Sequence, residues 1–70
     1  MLNVKATSAH GHSIVFNRDQ KGDLADIRVF TDDKYHRLYT VDDDGVQGVV
    51  AYVPRDWVIS VYQHDSERLR

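Results

Sequence analysis

Seventy residues make one domain, and 41% apolar with 29% charged side chains is an ordinary globular mix, too apolar for a disordered chain. The absence of cysteine excludes a disulfide framework and any thiolate metal site. Nine basic against eleven acidic side chains leave a net charge of −2, so there is no basic face of the kind that selects nucleic acid.

The first stretch, Met1 to Ser13, has no apolar core of signal-peptide length, and the longest apolar run, Val49 to Val53, is far below the ~20 residues of a membrane helix. The chain therefore reads as a soluble, unexported, cytoplasmic protein. A domain this short has a thin margin of stability, which a metal or a second subunit would widen.

Period-two alternation dominates, and helical periodicity is nearly absent. Leu2, Val4 and Ala6 alternate with Asn3, Lys5 and Thr7 as a half-buried strand. Ala9-His10-Gly11 is a turn, from which Ser13 to Asn17 returns as the second arm of a hairpin. Arg18 to Ala25 is a polar loop containing Gly22, and Ile27 to Thr31 is a third strand. A short helix from Asp23, with Leu24 and Ile27 on one face, is the competing reading of that region.

Asp32-Asp33-Lys34 is a tight turn into a fourth strand, Tyr35 to Val41, with Leu38 and Thr40 on one face and Arg37, Tyr39 and Val41 on the other. Asp42-Asp43-Asp44-Gly45 is the strongest turn signal, because Asp-Gly supplies the positive φ that a hairpin turn or bulge needs. Val46 to Val53 is apolar on both faces and so reads as a central strand. Pro54 then ends the ladder, since proline has no N–H to give, and Pro54-Arg55-Asp56 makes one tight corner. It also stands as a gatekeeper beside the aggregation-prone run Val49 to Val53. Trp57 to Tyr62 is the sixth strand, and the charged segment 65–70 is expected to fray. No internal repeat is evident.

The expected fold is all-β: five or six short antiparallel strands in a small barrel or a strongly curved sheet. Its expected core is Leu2, Val4, Ile14, Phe16, Ile27, Val29, Leu38, Val50, Trp57, Ile59 and Val61.

The order of parts resembles an SH3 barrel over roughly residues 32–62. Tyr52-Val53-Pro54-Arg55-Asp56-Trp57-Val58 resembles that family's closing motif, and Asp32-Asp33-Lys34-Tyr35-His36 its acidic loop leading into an aromatic pair. Asp44-Gly45 falls where its distal turn would be. The resemblance implies that Pro54, Trp57 and Tyr35 line a groove for extended, proline-rich peptides, and that Asp32 and Asp33 pair with a basic residue of the ligand. The family's early Ala-Leu-Tyr-Asp-Tyr signature has no counterpart here, Gly48 stands five residues from Pro54 where the family usually has two, and the first hairpin is placed differently.

Other chemistry is weakly signalled. His10 and His12, with His36 and His64 as further candidates, lack the second closely spaced pair that a zinc or nickel site needs. Asp42, Asp44 and Gly45 form part of a calcium-loop pattern, but Thr40 and Ala51 stand where its acidic ligands belong. Ser8, Ser13, Ser60 and Ser66 sit in no nucleophile motif, and no glycine loop for phosphate is present.

Aromatic residues are the strongest binding candidates: Tyr35, Tyr39, Tyr52, Trp57 and Tyr62, with Arg37 and Arg55 nearby. Strand parity sets Trp57, Ile59 and Val61 on a core face, opposite Val58, Ser60 and Tyr62. The expected function is a non-enzymatic protein-binding adaptor or modulator without cofactor or metal. Its size suits a phage or mobile-element product acting on a host factor, and homodimerisation would relieve the thin core. Binding of single-stranded nucleic acid, with bases stacked on Tyr39 and Tyr62 beside Arg37 and Arg55, is the alternative.

Overall fold

The computed structural model describes residues 1–63, which form six strands: β1 (Leu2–Thr7), β2 (Ser13–Phe16), β3 (Arg28–Thr31), β4 (Tyr35–Val41), β5 (Gln47–Pro54) and β6 (Val58–Gln63). Each falls within a residue or so of its expected place. The alternative helix from Asp23 does not form: Leu24 instead makes an isolated antiparallel bridge with Arg18. His64 and the segment 65–70 lie outside the described residues.

The strands make two three-stranded antiparallel sheets, ordered β2-β1-β6 and β3-β4-β5. They do not close into the expected barrel. Closure would require a ladder between the sheets, but the ladder of β5 runs out at Pro54 and, among the described residues, β3 pairs only with β4. A single backbone bond, Ile27 N–H to the Leu2 carbonyl (3.1 Å), ties the approach to β3 onto β1. The Leu2 N–H is itself held by the Asp26 carboxylate at 2.6 Å.

The apolar side chains buried between the sheets are Val4, Ala6, Ile27, Leu38 and Val53, with Phe16, Val29, Val50, Ala51, Trp57 and Ile59 packed against them. Two expected core residues fail: Ile14 is 49% and Val61 52% exposed. They stand opposite Ala6 and Val4 in the ladder, on the inward face, but on the two edge strands where the covering sheet no longer reaches. Leu2 is only half-buried and is not packed against this cluster, while Ala6, on the alternating face of β1, and Val53 are core residues absent from the expected core. Asn3 is also buried, contrary to its alternation. It lies on central β1 with Tyr62 opposite it, and its Oδ1 has no hydrogen-bond partner among the described residues.

β5 is an edge strand, not the central one, and β4 takes the middle with His36, Leu38 and Thr40 buried in strict alternation. Apolar composition misled because β5 carries a bulge. Tyr39 pairs with Val49 and Leu38 with Ala51, so Val50 is an extra residue. Val50 and Ala51 both pack against the core, and the alternation restarts with Tyr52 outward and Val53 inward.

One turn chemistry recurs three times. Ser8, Asp19 and Asp42 each accept, through a side-chain oxygen, the N–H groups two and four residues on: His10 and His12, Lys21 and Asp23, Asp44 and Val46. Three residues after each stands a glycine at positive φ, Gly11 (89°), Gly22 (91°) and Gly45 (83°). Each glycine N–H returns to the carbonyl of the first residue at 3.0 Å. This is a type I turn closed by a left-handed glycine.

The proline corner is closed by the Trp57 N–H on the Pro54 carbonyl (3.1 Å) and by the Arg55 N–H on the Lys34 carbonyl (3.2 Å). Buried His36 clamps it from β4. Its Nε2 lies 3.1 Å from the Arg55 carbonyl and 3.0 Å from the Trp57 carbonyl, so it carries a proton; Nδ1 is hydrogen-bonded to Thr31 Oγ1 at 2.8 Å.

Candidate functional site: an aromatic–arginine sheet face

The outward positions of β3-β4-β5 follow from register. Phe30 stands opposite Arg37, and Arg28 opposite Tyr39. Across the other ladder Arg37 pairs with Tyr52, Tyr35 with Pro54 and Tyr39 with Val49. One face therefore collects three tyrosines, a phenylalanine, a proline and two arginines, with no carboxylate among its paired positions, in a chain whose net charge is negative. Phe30 is 51% and Tyr52 57% exposed.

Two ring contacts organise the face. Tyr35 and Tyr52 meet edge to face, with centroids 4.9 Å apart and planes at 82°. The Arg37 guanidinium carbon lies 5.3 Å from the Phe30 ring centre and 5.5 Å from that of Tyr39. Such cation–π contacts are within the ≈ 6 Å range where attraction is appreciable. They fix the guanidinium in place without neutralising it: among the described residues Arg37 makes no ion pair, and its buried Nε has no hydrogen-bond partner.

Of the residues singled out by sequence, Tyr35, Arg37, Tyr39, Tyr52 and Pro54 come together here. Asp32 and Asp33 form the β3–β4 turn beside Tyr35, and Arg55 lies exposed in the corner. Asp32 is committed to its own turn. Its Oδ1 accepts from the N–H groups of Lys34 (2.8 Å) and Tyr35 (3.0 Å), and these bonds, Lys34 first, hold its carboxyl below the ordinary value. Two candidates lie elsewhere. Trp57 is half-buried against the core, and Tyr62 is on β6 in the other sheet. Phe30, Arg28 and Val49 were missed, although inward Val29 already implied an outward Phe30 by parity.

The remaining candidates resolve into turn and packing roles. His10 and His12 flank the glycine of the first turn, and His36 has both ring nitrogens engaged. Asp42 caps its hairpin. Among the described residues no group of three or more His, Asp or Glu side chains is placed to hold a metal ion. A cleft of about 110 Å³ between the Asp19 turn and the start of β5 is small beside ordinary ligand pockets of ~300–1,000 Å³. The Gln20 side chain occupies the place where a Cβ on Gly48 would stand. No protein-family model, curated protein or solved structure matches the chain.

Proposed function

We propose that the chain is a small protein-binding module whose contact surface is the outer face of β3-β4-β5, and that its partner offers an acidic side chain to Arg37 between apolar neighbours. The observation that carries this is the Arg37 guanidinium, held between Phe30 and Tyr39 and making no direct ion pair among the described residues, with the Asp32 carboxylate within electrostatic reach but bonded into its own turn. A planar fork fixed in advance loses little freedom when a carboxylate docks bidentately, and arginine with tyrosine is the usual composition of an energetic centre at an interface. The Tyr35–Tyr52 pair and exposed Pro54 supply adjoining apolar area.

An SH3-like arrangement is the finer architectural reading. It is supported by the meander β3-β4-β5, the Asp-Gly hairpin, the proline corner and the return of β6 to β1. Single-stranded nucleic acid is the second reading, favoured by Arg28 and Arg37 among exposed rings. Against it stand the acidic turns at the two ends of β4, Asp32-Asp33 and Asp42-Asp43-Asp44, which repel a strand of phosphates running along the face.

Selection of a displayed random-peptide library on the immobilised protein tests both. Acidic residues flanked by apolar ones should be enriched, and binding should fall about tenfold or more with Arg37→Glu or Tyr52→Ala while Tyr62→Ala leaves it unchanged. Failure to enrich any peptide that depends on Arg37, together with salt-sensitive binding of oligonucleotides, would transfer the face to nucleic acid.

A further inference from the structure

Among the described residues the two sheets leave four strand edges unpaired, and they are not equally protected. β3 is four residues long and begins with Arg28; β5 is interrupted by its bulge and ends in Pro54. β2 is four residues long. Short length, charge, bulges and proline are the devices that keep an edge from pairing with another chain. β6 has none of them. It is six residues, Val-Ile-Ser-Val-Tyr-Gln, with no charge, no proline and an unbroken register against β1.

Ile59 packs against the core, but other side chains of the strand are uncovered on each face. Val58 is 66%, Val61 52% and Tyr62 38% exposed. Val61 is the informative one, because it stands opposite fully buried Val4, on the face that forms the core. The inner sheet surface thus stops one strand short of covering its own apolar residues.

We propose that β6 pairs antiparallel with β6 of a second copy, giving a continuous sheet β2-β1-β6-β6-β1-β2 about a two-fold axis. A two-fold perpendicular to a sheet requires a self-complementary register. Centring it on Ser60 sets Val58 opposite Tyr62 of the second copy on the outer face, and Ile59 opposite Val61 of the second copy on the inner face. Every apolar side chain of the strand then gains a cross-strand neighbour, and no like charges meet. This surface is separate from the aromatic face of the other sheet, so each stands or falls alone.

Sedimentation and light scattering of the full chain over a range of concentration test the proposal. The expected mass is twice the 8.1 kDa of one chain. Val58→Lys, on the outer face, and Val61→Lys, on the inner, should each weaken dimerisation by tenfold or more, with the strand circular-dichroism signal retained as a check on folding. Val58→Lys leaves the core untouched and so remains informative if Val61→Lys unfolds the chain. Arg37→Glu should leave the mass unchanged. A wild-type chain that stays monomeric throughout, or a dimer that survives Val58→Lys but dissociates with Arg37→Glu, would overturn the pairing.

Discussion

His36 Nε2 donates to the carbonyl of Trp57 across 3.0 Å, joining the start of β4 to the residue that enters β6. The same N–H is shared with the Arg55 carbonyl, and the Thr31 hydroxyl holds the other side of the ring. A buried imidazole therefore adds to the two backbone bonds that hold the corner where the chain passes from one sheet to the other. His36→Phe keeps a planar, somewhat larger ring but leaves those carbonyls without their donor. It should cost about 1–3 kcal/mol, the usual penalty for stranding a buried polar group. Urea unfolding monitored by Trp57 fluorescence measures this; an unchanged midpoint would remove His36 from its structural role.

Trp57 is packed against the core, so Trp57→Ala should lower stability by roughly 2–4 kcal/mol through the cavity it leaves. A folded, equally stable Trp57→Ala variant would return the residue to the binding surface. Asn3→Val works in the opposite direction. It removes a buried carbonyl oxygen without a partner and should raise stability by about 1 kcal/mol. A lower melting temperature would mean that the Asn3 amide makes a contact worth more than its burial costs.

Gly11, Gly22 and Gly45 all have positive φ, and a Cβ at each would meet nothing within 4 Å. Replacement by alanine thus costs only backbone strain, about 1–2 kcal/mol at each site. Gly48→Ala is different: it has ordinary φ and displaces only the far end of Gln20, so its effect should be smaller. Thermal melts of the four variants check the ordering, and a Gly48→Ala that proves the worst would contradict it.

The strands were legible because alternation and turn residues agreed, and five of ten candidate site residues do share one face. What escaped was non-local or depended on a single inserted residue. The bulge at Val50 reversed the assignment of β5, since a doubly apolar run looks the same whether it is central or bulged. From sequence His36 stood only as a further metal candidate and in the acidic-loop resemblance; its role as a clamp escaped because the two carbonyls it bonds are nineteen and twenty-one residues away. The threefold turn motif was visible in principle: Ser8, Asp19 and Asp42 each precede a glycine by three. It was obscured in the second case by the polar loop around it.

Acid should loosen two turns before it unfolds the sheets. The Asp19 carboxyl, bonded chiefly by the Asp23 N–H, and the Asp32 carboxyl, bonded by Lys34 and Tyr35, both lie below the ordinary 3.8 in the folded chain. A depressed folded value means that the contribution is fully present above pH 3.8 and is lost as pH falls through the folded value. Asp19→Asn and Asp32→Asn should flatten the dependence of the melting temperature on pH in that acid range. A slope identical to wild type would show that these turns do not carry it.

The outer face of β3-β4-β5 is tested most directly by amide chemical-shift mapping of the isotope-labelled chain with an acidic peptide selected against it. Shifts concentrated at Phe30, Arg37, Tyr39 and Tyr52, and abolished by Arg37→Glu, are the predicted result. Shifts concentrated on β1, β2 or β6, or a pattern indifferent to Arg37→Glu, would contradict it.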